Sequence, residues 1–199
     1  QGYKKSQLIA KKKVCTHCGE VIIVDTNTIK NVVSKEYSDN KTRIYVGENI
    51  RRYTISGENY IEPNIPGINY KDLTHYHPPK LLVRKTGLGI YASIDYSGSM
   101  TSQTVYILKQ KQDAMNVPLE YYLAMINSRV IYYYYLKVYG ENEWKSHPYL
   151  TKQIIFSLPI IEFTGSADDL HIVALATELA ECYEHEKDVQ LEKLIMKKY

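Results

Sequence analysis

Lys80-Leu81-Leu82-Val83-Arg84-Lys85, Gly89-Ile90-Tyr91-Ala92-Ser93-Ile94-Asp95 and Thr104-Val105-Tyr106-Ile107-Leu108 are three short runs separated by Thr86-Gly87-Leu88-Gly89 and by Tyr96-Ser97-Gly98-Ser99. Each run is rich in aliphatic and aromatic residues, and each ends in residues that tolerate the tight backbone of a turn. Side chains in an extended chain alternate faces with period 2, so runs of this length and composition predict strands. Successive strands usually lie side by side, which makes a meander the economical topology.

Moving outward from this β region, Pro118 is a favoured first-turn residue, and Leu119, Leu123, Ile126, Val130 and Tyr134 follow at helical spacing. With Gly140 suited to the stop, this predicts one long amphipathic helix over 118–139. After a loop holding Trp144, Lys145 and His147, Gln153 to Leu158 reads as a strand ended by Pro159. Ser166 followed by Asp169 resembles a capping box, and Ile172, Leu175, Leu179 and Cys182 form a stripe behind it. A second, shorter helix around Val189, Leu194 and Ile195 ends in Lys197-Lys198, where cations suit the macrodipole.

On the amino-terminal side, Val21-Ile22-Ile23-Val24 reads as a buried strand and Thr28 to Glu36 as a short helix. Arg51 to Ile55 and Tyr60-Ile61 read as a hairpin around Ser56-Gly57-Glu58-Asn59. Pro63 to Pro79 holds four prolines and two histidines with little periodicity, so it is expected to be an extended loop. These readings give an α+β fold: an antiparallel or mixed β body, a long packed amphipathic helix and a C-terminal helical pair. Residues 1–160 are expected to form the main unit, and 161–199 a helical extension packing on it or on another domain.

The charge balance, 25 Lys and Arg against 22 Asp and Glu, falls short of a free-standing non-specific nucleic-acid binder, so any such surface must be local. Three cysteines without regular spacing do not make a disulfide framework. No apolar run approaches the ~20 residues of a membrane span, so a cytoplasmic protein with no membrane partner is expected. Tyrosine is heavily favoured, 20 against 2 Phe and 1 Trp, and suits wet interfaces as well as half-buried packing. A chain starting at Gln1 and ending in a basic tail reads as part of something larger.

Cys15-Thr16-His17-Cys18-Gly19 places two thiols at a zinc-chelating spacing, but a structural site needs four ligands. Cys182, His75, His77, His147, His171 and His185 supply no second paired spacing. Cys15 and Cys18 are therefore weak metal candidates, and a glycine-terminated turn is the alternative. Thr86-Gly87-Leu88-Gly89 lacks the further glycine of a dinucleotide fold, and Gly98-Ser99 has no nucleophile-elbow context. Asp168-Asp169 is accounted for by capping, and Asp95 by a strand end. The visible chain is expected not to be an enzyme. Basic residues beside turns are more informative: Arg43, Arg51-Arg52, Arg84-Lys85, Lys145 and Lys152, several next to Tyr45, Tyr53, Tyr91 or Tyr149. Arginine forks suit guanine edges and phosphates, whereas Gln and Asn suit adenine. The alternative is solvated charge at strand ends.

Read in order, Tyr45-Val46-Gly47-Glu48-Asn49-Ile50-Arg51-Arg52-Tyr53, Pro79-Lys80-Leu81-Leu82-Val83-Arg84-Lys85-Thr86-Gly87, Ile90 to Asp95, Thr104 to Leu108, Leu123-Ala124-Met125-Ile126-Asn127-Ser128-Arg129 and Gln153 to Pro159 resemble the TaqI-like C-terminal specificity domain. The blocks cover roughly residues 20 to 160, and their succession is more specific than any one of them. The resemblance implies a target-recognition domain downstream of an adenine-N6 DNA methyltransferase, in some members also fused to a nuclease, that clamps duplex DNA while the target base is flipped. It implies double-stranded DNA and the upstream catalytic domain as partners. No cofactor is expected in this chain; S-adenosylmethionine, with Mg2+ as a second candidate, is expected for the parent enzyme. The catalytic Asn-Pro-Pro-Tyr motif and the cofactor-binding glycine motif are absent from the sequence, which places catalysis elsewhere. Arg51, Arg52, Arg84 and Lys85 inside the matched blocks, with Ser102, Gln103, Lys145, Lys152 and Gln153 on adjoining loops, are the candidate DNA contacts. A specificity-subunit domain of a multi-subunit, type I-like restriction system and a zinc-binding interaction module are the alternatives.

Overall fold

A computed structural model describes residues 13–14, 18–19, 21–22, 32–65, 68–111, 116–140 and 149–199, with backbone alone at 13–14 and 21–22. In chain order the strands are β1 (Lys13–Val14), β2 (Val21–Ile22), β3 (Val33–Ser34), β4 (Thr42–Tyr45), β5 (Tyr60–Ile61), β6 (Lys80–Arg84), β7 (Ala92–Asp95), β8 (Met100–Thr101) and β9 (Val105–Leu108). The helices are α1 (Leu119–Asn127), α2 (Arg129–Tyr139), α3 (Lys152–Phe156), α4 (Ala167–Glu181) and α5 (His185–Lys198). β1 and β2 pair antiparallel. A mixed sheet runs β3-β5-β4-β8 with only β4 and β8 parallel, and an antiparallel sheet runs β7-β6-β9. The class is α+β, as expected. Among the described residues no helix is long and apolar enough to cross a membrane.

β6 organises the interior because both of its faces are covered. Leu81 and Val83 join Ala92 and Ile94 against Leu123, Met125 and the inner side of α4, while Leu82 points the opposite way into a core with Tyr45, Ile50 and Val105. A strand buried on both sides reads as a continuous apolar run, which explains Leu81-Leu82-Val83. A third cluster of Ile44, Ile61, Tyr76 and Met100 is closed by Ile65, Ile68 and Tyr70 from the long proline-containing loop. At the start of β6, Lys80 stands opposite Asp95 and forms a fully buried ion pair with it. The ammonium also donates to Tyr76 O at 2.8 Å, and the carboxylate accepts from Ser97 and Ser99. Burial lowers the Lys80 pKa against the pull of Asp95.

Several expectations are corrected. The three central strands are not a meander: after β7 the chain crosses to pair β8 with β4, Ile44 opposite Met100, and returns as β9 on the free edge of β6. Arg51 to Ile55 does not form a hairpin with Tyr60-Ile61. Tyr53 has φ 69, in the left-handed region, so 50–55 closes as a tight turn with Ile50 bridging Ile55, and β5 pairs instead with β4 and β3. Of the helix expected over Thr28 to Glu36, residues 28–31 lie outside the described residues, and Val33-Ser34 is a strand. Ile23 and Val24 of the expected first strand also lie outside them. Gln153 to Leu158 does not extend as a strand, because both edges of β6 are already taken by β7 and β9. Tyr149 makes one bridge to Thr86, then the Thr151 hydroxyl accepts from Ile154 N at 3.2 Å and starts α3.

The single helix expected over 118–139 is two helices. Ser128, with ψ 149, leaves the helical path, and its hydroxyl accepts from Ile131 N to cap α2. The break frees Asn127 to work as a piece of strand: its Oδ1 accepts from Ala92 N at 2.9 Å and its Nδ2 donates to Ala92 O at 3.0 Å. Tyr53 N donates to the same Ala92 carbonyl. An edge of β7 that is otherwise met only by the single bridge from Tyr53 to Ser93 among the described residues is thereby satisfied.

The terminal helices share the largest core, which runs from Tyr53 to Ile195. Ile172, Leu175 and Leu179 are buried as the stripe predicts, but Cys182 is exposed, because α4 stops at Glu181 and Cys182 turns to an extended backbone. The Ser166 hydroxyl caps Asp169 N as expected. The Asp169 side chain itself turns inward to Thr164 N at 2.8 Å, Thr164 Oγ1 at 2.7 Å and the Lys198 ammonium. Burial acts to raise its carboxyl, and the contacts to Lys198, Thr164 and Ser166 outweigh it, holding Asp169 well below the usual carboxylate range.

Candidate nucleic-acid interface

A cation already paired with a carboxylate has little left to offer a phosphate, so the ion pairs sort the basic residues. Arg43 pairs with Glu58 at 2.7 Å, Lys80 with Asp95, Lys187 with Glu178 and Glu184, and Lys198 with Asp169. Arg52 is the most committed. Its guanidinium donates to Asp188 at 2.7 Å, to Glu192, and to Asn127 O at 2.7 Å, and lies 5.3 Å from the Tyr53 ring centroid. Glu192 also accepts from Arg129 N, and Asp188 from the Tyr183 hydroxyl. Arg52, expected at the DNA, is placed in a buried joint between the β body and α5. Among the described residues no carboxylate pairs with Arg51, Lys71, Arg84, Lys85 or Lys152.

Lys85 is the centre of what remains. Just past β6, its peptide N–H donates to Thr104 O at 3.0 Å, and its C=O accepts from Leu150 N at 2.8 Å. The segment leading into β9 and the segment leading into α3 are thus drawn to opposite flanks of one residue. Its ammonium lies 4.3 Å from the centroid of Tyr106, within cation–π range. Burial and the neighbouring Tyr149 hydroxyl push the Tyr106 hydroxyl up. Lys71, from the proline-containing loop, has its pKa lowered by burial and by repulsion from Lys85. Among the described residues neither ammonium has a carboxylate in ion-pair range, so an anion would relieve their repulsion. Lys152 opens α3 with its ammonium 5.6 Å from the exposed Phe156 ring.

The segment between β8 and β9 is cross-tied by hydrogen bonds. Ser102 N donates to Tyr45 O, the Ser102 and Thr104 hydroxyls bond each other at 2.6 Å, and Thr104 Oγ1 accepts from Gly47 N. The Ser102 hydroxyl is thereby engaged inside the turn. Gln103 is exposed, and Gln153 in the first turn of α3 is exposed as well. Lys85, Ser102, Gln103, Lys152 and Gln153, scattered over the sequence, are brought to one end of β6 and β9. Arg51 is exposed in the 50–55 turn, where its Nε reaches Ser56 Oγ at 3.3 Å. Arg84 is half-buried with its Nε enclosed and without a hydrogen-bond partner among the described residues, packed against Gly87, where a Cβ would stand 3.3 Å from that nitrogen. Lys145 lies outside the described residues.

Sequence reasoning missed Lys71 and Tyr106. Lys71 sits in an aperiodic loop, where spacing gives no face. Tyr106 was findable, since alternation sends it to the opposite face from Val105. Of the weak metal candidates, Cys15 lies outside the described residues and Cys18 is exposed and free. Among the described residues no group of three or more His, Cys, Asp and Glu side chains is assembled that could hold a metal ion. In comparison with known families, the model of the TaqI-like C-terminal specificity domain matches residues 42–160, a range that includes Lys71, Lys85, Tyr106, Tyr149 and Lys152. A search of curated proteins found no match.

Proposed function

We propose that this chain, which belongs to the TaqI-like C-terminal specificity domain family, binds duplex DNA across the Lys85 surface and positions it for adenine-N6 methylation by a catalytic domain outside the chain. A domain of this family is a DNA-recognition part of a restriction-modification enzyme and is not itself catalytic. The observation that carries the reading is that Lys71, Lys85 and Lys152, within the matched residues, have no carboxylate partner among the described residues, with the Lys85 ammonium on the Tyr106 ring, Lys71 near enough to repel it, and the Lys152 backbone beside the Tyr106 hydroxyl. Ammonium groups neutralise phosphates and fix the register of the protein on the duplex, and side chains on the flanking loops then meet base edges.

On this reading the partners are double-stranded DNA and a methyltransferase domain of the same protein, with a nuclease in some arrangements. S-adenosylmethionine supplies the methyl group, and it and any Mg2+ belong to those domains rather than to residues of this chain. On the same reading the chain works in the cytoplasm, alongside the DNA.

The test is a titration of labelled duplex at several salt concentrations. If Lys71, Lys85, Lys152 and Arg51 each neutralise one phosphate, about four counterions are released, and the slope of log affinity against log salt is about −3.6. Between about 50 and 200 mM salt this amounts to a loss on the order of 100-fold. A slope near zero would overturn phosphate-led binding.

A further inference from the structure

A base edge is discriminated by a side chain that offers two fixed hydrogen-bonding groups at once, such as an arginine fork for guanine or a carboxamide for adenine. On the Lys85 surface the arginine forks are mostly out of reach. Arg43 and Arg52 are held by carboxylates, and Arg84 is packed against Gly87 with its Nε enclosed. Lysine is a point charge that suits phosphate, and Lys85 rests on the Tyr106 ring. Arg51 stands apart in the 50–55 turn, its Nε on Ser56 Oγ, and among the described residues flanking Lys85 two exposed carboxamides stand out, one on each side. Gln103 precedes Thr104, whose carbonyl accepts from Lys85 N, and Gln153 follows shortly after Leu150, whose N–H donates to Lys85 O. Both side chains are exposed, and among the described residues neither carboxamide has a hydrogen-bond partner.

Both also stand on backbone that is fixed in advance. Gln103 sits between Ser102, bonded to Tyr45, and Thr104, bonded to Gly47. Gln153 sits in a turn capped by Thr151 and tied to β6 through Leu150. A readout group needs such support, because a contact loose by an ångström discriminates little. We infer that Gln103 and Gln153 are the base-reading residues of this surface and that each pairs its carboxamide with the N6 and N7 edge of an adenine in the major groove. Lys71 and Lys85 between them hold the backbone and carry no sequence information. The inference rests on the DNA reading above and divides its surface into letters and anchor.

The experiment selects duplexes from a pool with a randomised core, using the full chain and then Gln103→Ala, Gln153→Ala and Lys85→Ala. The wild-type chain is expected to enrich A·T pairs at two positions. Each glutamine variant flattens the preference at one of them, removing roughly 5- to 150-fold discrimination while leaving the other intact. Lys85→Ala keeps both preferences, weakens binding to selected and unselected duplexes alike, and makes the salt slope shallower by about 1. Thermal unfolding of the glutamine variants should match wild type, since both side chains are exposed. Salt-dependent binding whose enriched positions survive both glutamine substitutions would overturn the inference and leave the DNA reading standing. Absence of binding to any duplex at low salt would overturn both.

Discussion

Replacing Arg52 by methionine tests whether a residue with the composition of a DNA contact is instead a joint of the fold. The substitution keeps an apolar stem and removes the guanidinium. It leaves two carboxylates whose side chains are only 1% and 6% exposed, each with a single remaining partner among the described residues, Tyr183 for Asp188 and Arg129 N for Glu192. Asn127 O loses its donor as well. Breaking a fully buried ionic cluster by removing one member costs about 3–5 kcal/mol. The Arg52 side chain is 21% exposed and partly hydrated, which argues for the lower end, about 3 kcal/mol. For a chain of this size that lowers Tm by about 6–12 °C. Urea unfolding followed by far-ultraviolet circular dichroism measures the change. The triple variant R52M/D188L/E192L should recover much of the loss, because no charge is left stranded. A loss below about 1 kcal/mol would refute a structural joint. A drop in duplex affinity with stability intact would put Arg52 back at the DNA.

Other substitutions probe the same architecture. Asn127→Ala leaves the Ala92 N–H and C=O with fewer partners in a buried setting and should cost about 1–3 kcal/mol, with faster amide exchange at Ala92 as the local sign. Ser128→Ala removes the cap of α2 and should cost about 1 kcal/mol by chemical denaturation. Because Asp169 is held well below its ordinary value, its contribution to stability is fully present above the unfolded-state pKa of ~3.9 and is lost as pH falls below it. Asp169→Asn should therefore be less stable than wild type at neutral pH and should show a shallower acid limb, and an unchanged acid limb would count against the Lys198 and Thr164 contacts.

Local pattern was legible where it coincided with one physical requirement. Leu81-Leu82-Val83 fills two cores and could hardly be anything but a central strand, and Ser166 with the Ile172, Leu175 and Leu179 stripe announced α4. Pattern failed where a residue serves distant structure. Asn127-Ser128 sits within an unbroken helical period, yet Ser128 caps a new helix while Asn127 completes β7, a demand from 35 residues away. Gln153 to Phe156 has strand-like composition but arrives where β6 has no edge left, so the Thr151 cap decides. For the site, residue type nominated Arg52 and Lys85 equally. Only the tertiary partners separate them, since Asp188 and Glu192 lie more than 130 residues downstream of Arg52, while Lys85 meets an aromatic ring. Lys71 had no local signal at all.

The peptide group on each side of the Lys85 α-carbon is occupied by a peptide group from elsewhere, Thr104 on one flank and Leu150 on the other, and neither bond asks anything of a side chain. Where the cation stands is therefore indifferent to what positions 103 and 153 carry. If those two positions read bases as proposed, a lineage could revise its vocabulary one substitution at a time without disturbing the post on which the words hang.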